Sequence, residues 1–385
     1  MPVEDTPVPD PRADQFGAPP PGEGPRDEVG LCLSGGGYKA AMFHLGGLIR
    51  LNELGLLKKI NRISSVSGGS ITSAWLGLNW NRLTFDAKGV ATNFGAVVRR
   101  PVEDFCATAR IDVGAGLGGV INPFGSAGQD LAKAYEKKLF GQATLQDLPD
   151  PATGAPTFVL NATNMQLNSL WRFSRKRAAD HRVGEVIAPK LSLAKVVAAS
   201  SGFPPVFSPV VFEWPAGAVK PFANADRGSG EYLKVARLAD GGIYDNLGLE
   251  TVWMRCRTVL VSNAGDPFAE EAKPATDWLG QIRRVISVMH RQCENHRMRW
   301  LIDMAQRKKR TVAAWSLRGR AGDFPAPSPL ALNEAEAKEV GKTGVRLWPP
   351  SDRERMLLIR HGYSTADAAV RAYWQPTAPP PTAWP

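Results

Sequence analysis

The chain has 385 residues, 43% of them hydrophobic, and its 47 Lys and Arg outnumber 37 Asp and Glu for a formal net charge of +10. That apolar content supports a sizeable core and excludes a wholly disordered chain, while no apolar run approaches the roughly 18 residues that a membrane-spanning helix needs. The positive balance favours an anionic partner, whether nucleic acid, an acidic membrane surface or a phosphate-bearing substrate, without choosing among them.

Residues 1–28 are rich in Pro, Gly and acidic residues and are expected to be disordered. "MPVEDTPVPDPRAD" has neither a basic n-region nor an apolar h-region, so no signal peptide is read there. Cys32, Cys106, Cys256 and Cys293 are widely spaced and form no CxxC pair. They read as reduced, mostly buried thiols of a cytoplasmic protein. Residues 29–375 are expected to form one domain whose C-terminal part is a helical, basic extension, with the Pro-rich 376–385 as a second disordered tail.

Within the domain, "VGLCLS" predicts a buried strand, followed by a glycine turn and a helix from about Tyr38 to Leu56. "INRISSVS" predicts a second strand and a helix from about Gly69, and "TFVLNATN" and "LWRFS" read as paired strands. "LSLAKVVAASS" is helical until Gly202 and Pro204 break it. "YLKVARLADGG" leads to a helix near Leu247, "TVLVSNAG" is a buried strand, Trp278 to Arg307 is helical by its apolar spacing, and "TVAAWSL" closes as a strand. Such strand–turn–helix units imply an α/β fold with a central, mainly parallel sheet covered by helices on both faces. Sites in such folds lie at the carboxyl ends of the strands.

Three strand-end turns carry chemistry. In "LCLSGGGYKAAMFHLG", the amides of Gly35, Gly36 and Gly37 can converge on one anion at a helix N-terminus, a bound phosphate or a reaction oxyanion. As a dinucleotide fingerprint the match is loose, and the second strand ends in serines where an acidic residue would be needed. In "RISSVSGGSITSAW", Ser67 stands between strand and helix with Ser65 two places before and Gly69 two places after. That approximates the small-residue flanks of a nucleophile elbow, with Ser in place of the usual first Gly. In "RLADGGIYDNLGLE", Asp240 ends a strand before two glycines, with Asp245 as its rival. A carboxylate there can take a serine proton directly if it lies within about 3 Å.

Taken together, a glycine-rich turn, a serine elbow about 30 residues on and a distant Asp-Gly-Gly resemble the patatin-like phospholipase family of the bacterial type, over roughly Val29 to Ser262. The resemblance implies a three-layer patatin-like fold. It implies an oxyanion hole at Gly35, Gly36 and Gly37, a nucleophile at Ser67 and its dyad partner at Asp240. Lys39 stands where the family usually has Arg, as an anion contact, and Ala40 where it usually has Gly. "AASSGFPPVFSPV" resembles the family's site-lining segment, and "NATNMQLN" is a looser match. The implied activity is that of a lipid acyl hydrolase of phospholipase A or lysophospholipase type, acting through an acyl-enzyme without metal or cofactor. The implied setting is the surface of a membrane carrying phospholipid or lysophospholipid. The acidic N-terminus and the region beyond about Gly265 are where an activating ligand or protein would act.

Two rival readings stand beside it. A Ser-His-Asp esterase would recruit His290, His296 or His361 downstream of Ser67 and Asp240, whereas His44 is expected to pack. A non-enzymatic nucleotide or anionic-surface binder would use Gln281 to Arg310, which holds nine Lys or Arg against two acids. Its stripe of Ile282, Ile286, Met289, Cys293, Trp300 and Met304 reads as a core-facing side with a solvated basic back, or as a face docking to anionic lipid. No nucleic-acid recognition motif accompanies it, so no specific nucleic-acid partner is expected.

Overall fold

The structure is a computed structural model that describes residues 24–111, 127–265 and 270–384. Its strands are β1 (Arg26–Leu33), β2 (Arg62–Ser65), β3 (Thr157–Asn164), β4 (Ser169–Phe173), β5 (Arg177–Asp180), β6 (Gly184–Ile187), β7 (Val210–Glu213), β8 (Lys220–Pro221), β9 (Val235–Asp240), β10 (Cys256–Asn263) and β11 (Thr311–Ser316). The helices are α1 (Gly37–Glu53), α2 (Gly68–Leu78), α3 (Arg100–Thr108), α4 (Ala127–Tyr135), α5 (Leu193–Ser201), α6 (Gly242–Asp245), α7 (Glu250–Trp253), α8 (Trp278–Gln306), α9 (Glu334–Gly341) and α10 (Asp352–Tyr373).

The sheet is parallel through its centre, in the order β11-β10-β1-β2-β3, as the strand–turn–helix units predict, and β4, β5, β6 and β8 extend it antiparallel from β3. Alternate side chains of the central strands serve two cores. Leu31, Leu33, Leu260, Ala313 and Trp315 join one, while Cys32, Val259, Val261, Val312 and Ala314 join the other. That period-two division is what buries both faces of the sheet and makes three layers.

On the first face α1 lies against α10 and α10 against β11. The two helix backbones come together at glycines: a Cβ on Gly46 would strike the Ile359 carbonyl, and one on Gly362 the Phe43 carbonyl. Beneath them Asp367, fully buried, accepts ion pairs from Arg50 at 2.9 Å and Arg371 at 2.8 Å. Sequence reading did not anticipate α10. Its buried residues include Gly362, Ser364, Thr365 and Asp367 beside Ile359, Tyr363, Ala366 and Val370, so burial extends well beyond the apolar stripe by which a helix is recognised.

Three further expectations are corrected. The first strand begins at Arg26, inside the segment expected to be disordered through residue 28, because Glu28 is held by Arg255. The expected disorder of residues 1–23 lies outside the described residues. The Pro-rich end is docked: Arg50 donates to the Pro379 carbonyl, and the Trp384 ring packs on Tyr363 at 5.4 Å beneath the Arg360 guanidinium. Finally, the apolar stripe of α8 does not face the core along its first half, where Ile282, Ile286 and Met289 are exposed, and only Glu294 and Leu301 of this helix are buried. Among the described residues no helix is long and apolar enough to cross a membrane. The four cysteines are free thiols, and all but Cys293 are buried.

Candidate active site

The site is built where two strands share one edge of β3. β2 runs parallel to β3 and pairs with it up to Ser65↔Leu160. β9 takes over the same edge beyond that point, running antiparallel, and ends at Ala162↔Asp240. The carboxyl ends of β2 and β9 therefore point at each other, and the first turn after each brings Ser67 and Asp240 together.

Ser67 has φ 52° and ψ −122°, a backbone conformation that a side chain other than glycine's adopts at a cost of about 1–3 kcal/mol. Its amide donates to the Ser200 carbonyl at 3.0 Å and to the Ser200 hydroxyl at 3.1 Å, which holds the elbow from α5. Neighbouring serines of the opening stretch are occupied elsewhere. Ser64 accepts from Asn161 at 2.9 Å and Thr251 at 2.7 Å, and Ser70 bonds Ser65 at 3.1 Å and Ser200 at 2.9 Å. Of the crowded serines, Ser67 is the one whose side chain lies close enough to the Asp240 carboxyl to lower its pKa.

Asp240 is buried, and burial raises its pKa from the usual carboxylate value to about 6, against the hydrogen bonds from the Gly242 amide and from Ser67. The Gly242 N–H donates to its Oδ1 at 2.7 Å. Its main chain is pinned on both sides: its amide donates to Gly202 at 3.0 Å and its carbonyl accepts from the Thr163 hydroxyl at 2.8 Å. The "AASSGF" and "NATN" segments therefore support the corner, as Ser200, Gly202 and Thr163 show.

Asp245, the rival carboxylate, is used differently. It accepts from the amides of Leu247 at 3.2 Å and Glu250 at 2.8 Å, capping the turn into α7, and lies 3.4 Å from the Arg297 guanidinium. Burial raises its pKa and Arg297 opposes the shift.

The glycine turn faces the same corner. Gly36 and Gly37 have φ of +140° and +61°, and a Cβ on Gly68 at the start of α2 would strike the Gly37 carbonyl, so the turns before α1 and α2 are in direct contact. Gly35 departs from the sequence expectation: its amide donates to the Asn246 carbonyl at 3.0 Å and is committed there. The amides of Gly36 and Gly37 open α1, where no earlier turn supplies a carbonyl, and no partner for either lies among the described residues. Lys39, the expected anion contact, packs beside the same turn. It is fully buried, and its Cε lies 3.4 Å from where a Cβ on Gly36 would stand.

Asn246 was not singled out from the sequence, although it lies in the quoted "DGGIYDNLG". Its carbonyl holds Gly35, and its side-chain oxygen fills the space over Gly35 and Gly242, joining the glycine turn to the Asp240 turn. His44 packs as expected, its ring nitrogens engaged by the Ser262 hydroxyl at 2.7 Å and the Ser34 carbonyl at 2.9 Å. His361 bonds the Leu317 carbonyl at 3.0 Å. Burial lowers the pKa of both histidines to about 4. A cavity of about 590 Å³ lies between α8 and β11 with Asn263 and Gly265 in its wall, but neither Ser67 nor Asp240 lines it. It adjoins the corner and does not contain it.

The model of the family described as "Patatin-like phospholipase" matches residues 31–253, more than half of the chain and all of the turns just described. The chain belongs to the patatin-like phospholipase family. Helix α8, β11 and α10 lie beyond the matched patatin-like segment. Among solved structures the chain is similar to human GIVD cytosolic phospholipase A2, at 11% identity and TM-score 0.51, over 94% of this chain and 64% of that one. It is also similar to VipD from Legionella pneumophila, at 16% identity and TM-score 0.38, over 89% and 66%. The type III effector protein ExoU matches at 13% identity and TM-score 0.32, over 89% and 52%. The chain thus spans between half and two thirds of the length of these proteins, and the first of these likenesses places its fold with that of the human phospholipase. A search of curated proteins finds no match to the sequence.

Proposed function

We propose that this patatin-like protein is a serine acyl hydrolase that cleaves fatty-acyl esters of phospholipid or lysophospholipid through a Ser67–Asp240 dyad. The observation that carries the reading is the placement of Ser67, held on a positive-φ elbow at the end of one strand, beside the buried Asp240 carboxyl at the end of the strand that meets it along β3, a carboxyl whose pKa burial raises to about 6. A carboxylate with that value is a better base than an unperturbed Asp at near 4 and is still ionised at neutral pH.

In this mechanism Asp240 takes the Ser67 proton as Oγ attacks the ester carbonyl. The developing oxyanion meets the Gly36 and Gly37 amides and the positive end of α1. Collapse expels the lysophospholipid, or the glycerophosphodiester where a lysophospholipid is the substrate, with the proton returned from Asp240 to the departing alkoxide, and leaves the acyl-enzyme. Water deprotonated by Asp240 then releases the fatty acid. No histidine is assigned a role, since His44 and His361 make their hydrogen bonds to other groups.

A long-chain alkyl fluorophosphonate tests the reading directly, because it phosphonylates only an activated serine. The expected adduct, one per chain, maps by peptide mass to the fragment holding Ser67 and is absent in Asp240→Asn. An adduct on another serine would overturn the assignment.

A further inference from the structure

The first half of α8 is unlike any other helix among the described residues. From Trp278 to Cys293 nearly every residue is solvent-exposed, including Trp278 at 73%, Val285 at 54% and Met289 at 63%. At 3.6 residues per turn, Trp278, Leu279, Ile282, Val285, Ile286 and Met289 fall within an arc of about 120°. A soluble helix normally buries such an arc. Here it lies open, while the polar side carries Arg283, Arg284 and Arg291 with no acidic residue between Trp278 and Cys293. Arg284 pairs with Glu271 and Arg291 with Glu294, and Arg283 has no acidic partner among the described residues. Asp277 caps the helix through the Gly280 amide at 2.8 Å, so the helix is properly begun at its exposed end.

The same helix is anchored beside the active corner. Arg297 lies 3.4 Å from Asp245 and over the Tyr244 ring at 5.6 Å, and Leu301 enters the second core. Phe203, which follows the Gly202 that holds Asp240, and Ile243, which follows Gly242, are exposed apolar side chains at the rim of that corner.

We infer that Trp278–Cys293 is an interfacial arm that lies on a bilayer bearing anionic headgroups, its apolar arc in the acyl region and its arginines among the phosphates. An exposed apolar arc flanked by cations and free of acids suits that occupant: burial drives insertion, and charge complementarity directs it to anionic lipid. A protein partner or second copy would be served by the apolar arc alone and gives no reason for the absence of acids. The inference deepens the hydrolase reading by naming the surface on which substrate is met, and depends on that reading only for this purpose.

The test is flotation of full-length Ser67→Ala protein with vesicles of phosphatidylcholine, with and without phosphatidylglycerol. Binding is then measured without catalysis and stands or falls apart from the dyad. We expect at least tenfold tighter partition onto the phosphatidylglycerol vesicles, weakened by added salt. Ile282→Asn/Ile286→Asn/Met289→Asn should lower it at least tenfold, and Arg283→Gln should weaken it and reduce its salt dependence. The triple variant should keep the parent's circular-dichroism spectrum and denaturation midpoint, which shows that the fold is intact. Unchanged partition of the triple variant, or equal binding to both vesicles, would overturn the proposal. So would a concentration-dependent dimer that the triple variant abolishes while vesicle binding persists.

Discussion

The Ser67 side chain lies beside the Asp240 carboxyl because β2 and β9 approach each other head-on along one edge of β3. β3 is therefore the part that sets their separation, and Thr163 is its direct link to Asp240. Thr163→Val removes a bond to the Asp240 carbonyl and leaves a buried acceptor unpaired, a cost of about 1–3 kcal/mol. The expected result is a lowered Tm and a larger fall in kcat than in KM, because the base is displaced and the binding surface is not. Equal changes in both constants would place Thr163 outside the positioning of Asp240.

The pH dependence of hydrolysis follows from the ionisation of Asp240. The base is active when deprotonated and its pKa is about 6, so kcat/KM for a soluble ester should rise through that pH and level off above it. A profile already flat at pH 5 would show that Asp240 is not the titrating base.

Stability should run the opposite way for this one group. Between the usual carboxylate value and about 6 the folded protein binds the Asp240 proton more tightly than the unfolded chain does, so its contribution falls as pH rises. Asp240→Asn keeps an acceptor for Gly242 and removes the buried charge. It should raise stability by roughly 1–3 kcal/mol at neutral pH, at 1.36 kcal/mol per pKa unit, while abolishing hydrolysis. Denaturant unfolding of both proteins at pH 7.5 measures it, and a destabilised variant would contradict the burial argument.

His44 and His361 act in the other direction. Their folded pKa of about 4 lies below the ordinary histidine value. The stability they contribute is present above about 6.5 and is lost as pH falls towards 4. These two groups lower stability on acidification through that window, against the opposing contributions of Asp240 and Asp245, so the denaturation midpoint of His361→Gln should fall less over that range than the wild type's. His290→Ala and His296→Ala, on the exposed helix, should leave hydrolysis unchanged, whereas loss of activity in either would restore the triad reading.

The turns around the site were legible because each needs unusual residues. Three consecutive glycines, a serine before two glycines and an aspartate before two more leave few alternatives at strand ends. The commitment of Gly35 to Asn246 was not legible, since it depends on where Asn246 returns from a distant turn. Helix α10 escaped notice because it is buried all round through small and polar residues such as Gly362, Ser364 and Asp367. The first half of α8 misled for the converse reason: its apolar period is helical, but period alone does not say whether protein covers the stripe.

The buried Asp367 illustrates how the unread region supports the rest. Asp367→Asn leaves Arg50 and Arg371 without their shared countercharge, and breaking a buried pair costs about 3–5 kcal/mol. A reduced Tm with kcat unchanged at low temperature is expected, because these residues lie outside the catalytic corner. A kcat loss at full folding would link α10 to the chemistry.

The most direct measurement is release of fatty acid from mixed phospholipid vesicles by wild type, Ser67→Ala and Asp240→Asn, each shown to be folded. The account predicts release by the wild type and a loss of about a thousandfold or more in both variants, as removal of a nucleophile or its base produces in serine hydrolases. Release that persists in folded Ser67→Ala would contradict it.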